Sequence, residues 1–200
     1  MSDQTIDNQV DVIEPEHTSR ALKTLTLAFA EDPPTRWLFP EPETYSRHFA
    51  KFALAFGGDA IADGTALEIE GHAGVALWMS PGIGPDEDAL LDVIERSVPA
   101  PCRARVHDLL AEMGRLHPSG DHWYLPLIGV DPRRQGAGLG SALLRPALRA
   151  ADAMQLPVLL EATCPRNVSL YLRHGFEPIG EIRIHDCPVI TPMLRRPRAR

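Results

Sequence analysis

The run Ile128-Gly129-Val130-Asp131-Pro132-Arg133-Arg134-Gln135-Gly136-Ala137-Gly138-Leu139-Gly140-Ser141-Ala142-Leu143-Leu144 constrains this chain more than any other stretch. It reads as a strand, a glycine-rich turn and an amphipathic helix. Glycines at 136, 138 and 140 let backbone approach a ligand closely and gather N–H groups in one concavity, to which the following helix adds its positive end. Such a site suits phosphate groups. A nucleoside-triphosphate loop needs Lys and then Ser or Thr after its last glycine, and Leu139-Gly140-Ser141 offers no Lys. A dinucleotide-binding fold places its glycines in the first strand-helix unit, whereas these begin at residue 136 with little chain left for such a sheet.

The rest of the chain alternates strands and helices in one α/β arrangement. A strand is expected over 9–14, where Val10 and Val12 alternate with polar neighbours, and a helix over 17–30 from the spacing of Ala21, Leu22, Leu25, Ala28 and Phe29. Asp32-Pro33-Pro34 stops that helix. A second helix spans 42–56 and ends at Gly57-Gly58. Strands follow over 65–70 and 74–79. Helices over 86–97 and 103–116 are separated by Pro99 and Pro101. The pattern then gives a strand over 123–130, a helix over 138–154, a buried strand over 158–162 and a short helix over 167–173. Segments 179–184 and 189–194 pair as the last two strands. The expectation is a single domain over 1–200, with frayed tails at 1–8 and 196–200 and the arginines from Arg195 onward as a solvated end.

Composition narrows the function. A formal net charge of −7 argues against nucleic acid as the main partner, because phosphate binding needs a basic face. No apolar run is long enough to cross a bilayer, and the polar first residues lack the basic and apolar regions of a signal peptide. Cys102, Cys164 and Cys187 are odd in number and far apart, with neither metal-ligand spacing nor a disulfide framework. A cytoplasmic protein with reduced thiols and no metal is the expectation.

Gln135-Gly136-Ala137-Gly138-Leu139-Gly140 resembles the acyl-CoA signature of the GNAT N-acetyltransferases: Gln or Arg, two residues, Gly, one residue, then Gly or Ala. A second signature of that family follows in order: Asn167, a short helix, Tyr171 and then Gly175-Phe176. The resemblance implies a mixed, mostly antiparallel twisted sheet of six or seven strands, flanked by helices and splayed at its central strands. It implies that Gln135, Gly136, Ala137, Gly138, Leu139, Gly140 and Ser141 bind the pyrophosphate of acetyl-CoA. The preceding strand, at Ile128, Gly129 and Val130, then pairs with the pantetheine arm, and Asn167 bonds that arm. Segments 28–36, 76–81, 123–140 and 160–176 look like the puromycin N-acetyltransferase-like members, and the likeness is loose from 85 to 120.

The activity so implied is transfer of acetyl from acetyl-CoA to an amine by direct attack on the thioester. Tyr171, four residues from Asn167 and so on the same helix face, is the expected general acid for the leaving thiolate. The strand over 123–130 holds no carboxylate, so Glu161 on the next strand is the candidate base, with a salt bridge as its rival role. His122 and Tyr124 are possible helpers, and His174 reads as a helix-end charge. Pro126 lacks an N–H and must interrupt strand pairing, either at a splay or at an ordinary bulge. Trp37, Trp78, Trp123 and Tyr45 are candidates for an acceptor wall or for the core. Glu31 and Asp32 are acidic contacts or caps. The acceptor is a small-molecule amine, or alternatively a protein or peptide amine. A non-catalytic acetyl-CoA-binding protein is the third reading, and a homodimer stays open.

Overall fold

A computed structural model describes residues 9–198. Seven strands form one sheet: β1 (Val10–Val12), β2 (Leu67–Ile69), β3 (Gly74–Met79), β4 (Trp123–Val130), β5 (Val158–Ala162), β6 (Glu177–Pro178) and β7 (Thr191–Arg195). Their order across the sheet is β1-β2-β3-β4-β5-β7-β6. Every neighbouring pair is antiparallel except β4 and β5, which run parallel. The helices are α1 (Thr18–Ala28), α2 (Pro33–Leu38), α3 (Pro42–Phe56), α4 (Glu87–Ser97), α5 (Ala100–Arg115), α6 (Leu139–Met154) and α7 (Pro165–Arg173). None of them is long and apolar enough to cross a membrane.

The sheet separates two cores. On one face α6 and α7 pack over Trp78, Trp123, Leu125, Val158 and Leu160. On the other, α1, α3, α4 and α5 pack over Val75, Leu77 and Leu127. Trp78 and Trp123 meet edge to face in the first core, with centroids 6.5 Å apart, and Trp78 is fully buried. These two tryptophans therefore serve the core. Tyr45 does the same on the other face: it is buried against Phe39 and Phe49, and its hydroxyl donates to Thr26 O at 2.5 Å.

The phase of β4 changes along its length. Trp123 and Leu125 face α6, and so do Ile128 and Val130, while Tyr124 and Leu127 face the other way. Strict alternation cannot give that pattern, so an extra residue sits near Pro126. The β3–β4 register agrees: Leu77 pairs with Leu127, and Met79 with Tyr124. Pairing with β5 also stops here. It covers Trp123, Tyr124 and Leu125 only, so β4 continues to Val130 with no strand paired on that side among the described residues. Pro126 thus marks both the bulge and the parting of the two parallel strands.

Several local expectations need correction. Pro101 does not separate helices; it lies in the first turn of α5, where a missing N–H costs nothing. Asp32-Pro33-Pro34 ends one helix by starting another. The Asp32 carboxylate accepts from Thr35 N–H at 3.1 Å, and the prolines occupy the first positions of α2. The last two strands are not 179–184 and 189–194. Only an isolated Ile182–Ile190 bridge joins those segments, while β6 and β7 lie at 177–178 and 191–195. Arg195 is no solvated end: it is 3% exposed and forks onto Asp152 at 2.7 and 2.8 Å. The Asp152 carboxyl is held below its usual range chiefly by that hydrogen bonding. Residues 1–8, expected as a frayed tail, lie outside the described residues.

Gly129 sets the distance between α1 and the sheet. A Cβ there would come within 2.7 Å of Ala28 Cβ and 3.1 Å of Leu25 Cδ2. Gly129→Ala should therefore push α1 outward and cost about 1–3 kcal/mol, the range for overpacking a core. A lowered midpoint in urea denaturation with an unchanged slope is the expected result; an unchanged midpoint would show that α1 shifts freely.

Candidate active site

The site lies where β4 and β5 part. Asp131 N–H bonds the O of Ala73, the residue just before β3, at 2.8 Å. Antiparallel alternation then aims the N–H groups of Gly129 and Leu127 at β3, and leaves the backbone N–H and C=O of Ile128 and Val130 facing the gap. Ile128 and Val130 therefore offer a strand edge to an extended ligand, while Gly129 serves β3 and α1. Gln135 donates its side-chain amide to Val130 O at 3.3 Å.

The glycine-rich turn follows directly. Asp131 caps the short 3-10 turn Pro132–Arg134 by accepting from Arg133 N–H at 2.9 Å. Hydrogen bonds from Arg133 hold the Asp131 carboxyl down to about 2. Gly136 and Gly138 have left-handed backbones, with φ of 84° and 82°, a region that side chains with a Cβ adopt at a cost. Gly138 is the N-cap of α6, and no side chain caps that helix. The first internal bond runs from Ala142 N–H to Gly138 O, so the N–H groups of Leu139, Gly140 and Ser141 are left for another acceptor. Residues 132–138 are exposed. Ser141 adds only its backbone, because its hydroxyl bonds His174 Nε2 at 2.5 Å. Beside the turn a depression of about 530 Å³ is lined by Arg20, Lys23, Arg133 and Arg134. Uncapped N–H groups, left-handed glycines and clustered cations fit an anionic, phosphate-bearing ligand.

Two titratable side chains stand at the end of β5. Glu161 follows Leu160, the last β5 residue paired with β4. Tyr124 donates its hydroxyl to Glu161 Oε2 at 2.8 Å, while Oε1 is shielded from solvent with no hydrogen-bond partner among the described residues. Burial raises the Glu161 pKa to about 7, against the opposing pull of the Tyr124 hydrogen bond. Among the described residues no salt bridge occupies it. Tyr171 is the buried residue of α7, set edge to face on Phe176 with centroids 5.9 Å apart. Burial, and secondarily the charge of Asp32, pushes its phenol well above the usual value. Asp32 reaches this region because its other carboxylate oxygen accepts from Thr163, just beyond β5. Asn167 lies one turn before Tyr171 and is half-buried.

Residues 103–178 fit the profile of the acetyltransferase (GNAT) domain. An uncharacterised N-acetyltransferase of Schizosaccharomyces pombe is 27% identical over 180 residues, which covers 82% of this chain and 72% of that protein. A Corynebacterium glutamicum crystal structure described as histone acetyltransferase HPA2 and related acetyltransferase superposes with a TM-score of 0.73. It is 26% identical, covering 96% of this chain and 98% of the other. Residues 103–178 carry a GNAT acetyltransferase domain. A Drosophila melanogaster polyamine N-acetyltransferase shares the fold at a TM-score of 0.65 and 15% identity, over 94% of this chain and 99% of that one. GNAT enzymes draw on acetyl-CoA, whose pyrophosphate suits the N–H groups at the start of α6.

Other residues fall into place around this GNAT site. His122 bonds His117 at 2.9 Å and Gly120 O at 2.8 Å, and His117 stacks edge to face on Tyr124 at 4.6 Å. His117 carried no recognisable spacing in the sequence. The two histidines line a cavity of about 180 Å³ with Met79 and Ile83, which touches the site through Tyr124. His174 sits at the C-cap of α7; burial first, and the arginines around it second, hold its pKa below the ordinary value. Trp37 is half-buried, and its Nε1 donates to Asp186 at 3.0 Å. Glu31 is exposed.

The Glu161 environment is directly measurable. Carbon-13 NMR titration of its carboxyl should give a midpoint near 7, and Tyr124→Phe should raise it, because the lost hydrogen bond favoured the charged form. A folded-state pKa above the unfolded value means that this residue's contribution to stability is present below about pH 4 and lost as pH rises through 7. Glu161→Gln should remove that loss. A wild-type midpoint near 4.5 would show a solvated carboxylate.

Proposed function

We propose that this acetyltransferase acts on an amine of a small molecule, with Glu161 as the base and Tyr171 as the hydrogen donor to the leaving sulfur. The observation that carries the reading is Glu161 Oε1, a buried acceptor with no partner, beside the gap between β4 and β5. A buried acceptor of this kind gains from an incoming N–H donor. Its pKa of about 7 puts both protonation states within reach at neutral pH, which suits a group that must first accept a proton and then lose it.

Acetyl-CoA supplies the activated acetyl group when bound. The chain holds it through the N–H groups of residues 139–141, the turn 135–138 and the open edge of β4 at Ile128 and Val130, with Asn167 reaching the same arm. An N–H on that edge also receives the negative charge that grows on the carbonyl oxygen. Glu161 takes a proton from the attacking amine. Tyr171 keeps its hydrogen throughout the neutral range, because burial disfavours the phenolate. A free thiol titrates near about 8.5, so full transfer from this phenol runs uphill. Its service is a hydrogen bond to sulfur that strengthens as charge develops.

The size of the acceptor is argued from segment 179–190. It packs on α5 through Leu109, Ile182, Cys187 and Ile190. Asp186 ties it to Trp37 on α2 and to Arg105 on α5, at 3.0 and 2.5 Å. With α2 joined in turn to the end of β5 through Asp32 and Thr163, the helical side of the gap is bordered by linked elements. That border favours a small amine over a polypeptide laid in an open groove.

Thiol release from acetyl-CoA should appear with one class in a panel of small amines, aminoglycosides, nucleosides and peptides. Glu161→Gln and Tyr171→Phe should each lower kcat by about 10²-fold or more, within the range for a positioned acid or base, with acetyl-CoA affinity retained. Turnover on peptides alone would move the acceptor to the protein class. Coenzyme binding with full indifference to both substitutions would remove the two residues from the chemistry.

A further inference from the structure

Three strands from Glu161 across the sheet, where His72 also borders the depression beside the glycine-rich turn, three side chains from separate elements converge. His17 closes the short 3-10 turn before α1, Glu68 lies on β2, and His72 stands in the turn between β2 and β3. One ligand-capable atom from each lies within 4.8 Å of the other two. The His17 and His72 rings sit edge to face with centroids 5.2 Å apart. His72 is 8% exposed, and its Nδ1 meets a carboxylate oxygen of Glu68. Although in ion-pair contact, neither of these two buried atoms makes a hydrogen bond. An imidazole nitrogen and a carboxylate oxygen this close together need a proton or a cation to mediate the contact. A proton on His72 would serve the pair alone. A third donor, His17, pointing to the same spot calls for a cation that takes several ligands.

We propose that His17, Glu68 and His72 form a Zn²⁺ site. Two imidazole nitrogens and one carboxylate oxygen are a donor set that this borderline-soft ion accepts, with a fourth position for water. The single negative charge of Glu68 partly neutralises the ion, and burial of His72 limits competition from solvent. The supports are in place: Thr24 on α1 donates its hydroxyl to His72 O at 2.7 Å, fixing the turn that presents the ring. His72 itself has a left-handed backbone, φ 70°, which directs it inward from a tight turn of Glu70, Gly71 and His72. A bound ion would clasp the start of α1 to β2 and the β2–β3 turn. The sequence hid the site because residue 17 is fifty-one positions before Glu68 of the Glu68-x-x-x-His72 pair.

The test uses the full chain without an affinity tag, stripped with chelator and titrated with Zn²⁺ by calorimetry, and with Co²⁺ for its visible spectrum. The expected result is one Zn²⁺ per chain, an upward shift in Tm, and a Co²⁺ spectrum with nitrogen and oxygen ligands and no thiolate charge-transfer band. Glu68→Gln, His72→Asn and His17→Ala should each weaken binding by more than about 100-fold, beyond the effect typical of outer-shell changes. Asn is chosen at 72 because it tolerates left-handed backbone. His17→Ala, at a half-buried helix start, carries the test where the buried positions fail to fold. Failure of the wild-type chain to bind Zn²⁺ at 100-fold molar excess would overturn the proposal. So would one-to-one binding that survives all three substitutions, which would put the ion elsewhere, at His117 and His122 or at a cysteine.

Discussion

The parting of β4 from β5 at Pro126 is the constraint from which the rest of the site follows. Two parallel strands joined along their whole length would leave no free backbone edge between them. Proline lacks the N–H that would continue the ladder, and the extra residue beside it turns the next side chains over. As a result Leu127 reaches the helical core on one face while the backbone groups of Ile128 and Val130 face the gap, where Gln135 donates to Val130 O. The same break lets β5 run on to Glu161 with nothing of β4 beside it. On the proposed assignment, one interruption creates both the slot for an extended coenzyme arm and the space in which a carboxylate can meet an acceptor.

Charge in this site is governed more by burial than by pairing. Glu161 and Tyr171 are both pushed upward by removal from water, and Tyr124 restrains only the first. Asp131, by contrast, is held low by hydrogen bonds from Arg133. The anion-binding end of the site is thus rigidly charged and the acid–base end is adjustable. That division matches a ligand with fixed phosphates at one end and a proton transfer at the other.

Much of this was legible in the sequence where periodicity or turn chemistry acts locally. The bounds of α3, β3, β4 and β5 agree with their apolar patterns, because each is flanked by glycine or proline punctuation or packs with one clear period. The glycine-rich turn and the Asn167–Tyr171 spacing pointed to the family for the same reason. What failed depended on partners far along the chain. Nothing in the tail announces that Arg195 will find Asp152, forty-three residues away, and so be buried. The pairing of Ile182 with Ile190 stops at one bridge because segment 179–190 leaves the sheet to pack on α5, a tertiary preference that overrides strand propensity. The proline pairs misled through position: at 33–34 and at 101 they open helices, and only the caps that precede them say so. Tyr124 was visible as an aromatic, but its bond to Glu161 needed the register between two strands.

The two cores meet only through the sheet itself. Residues around α6 and α7, which frame the coenzyme side, share little packing with those of α3, α4 and α5 on the opposite face. A side chain exchanged in the helical layer can reshape the acceptor side without disturbing the turn at 135–141. If the proposed assignment holds, the molecule is in this sense modular: its donor half can stay constant while its acceptor half explores new amines, so a change of substrate need not begin with a loss of chemistry.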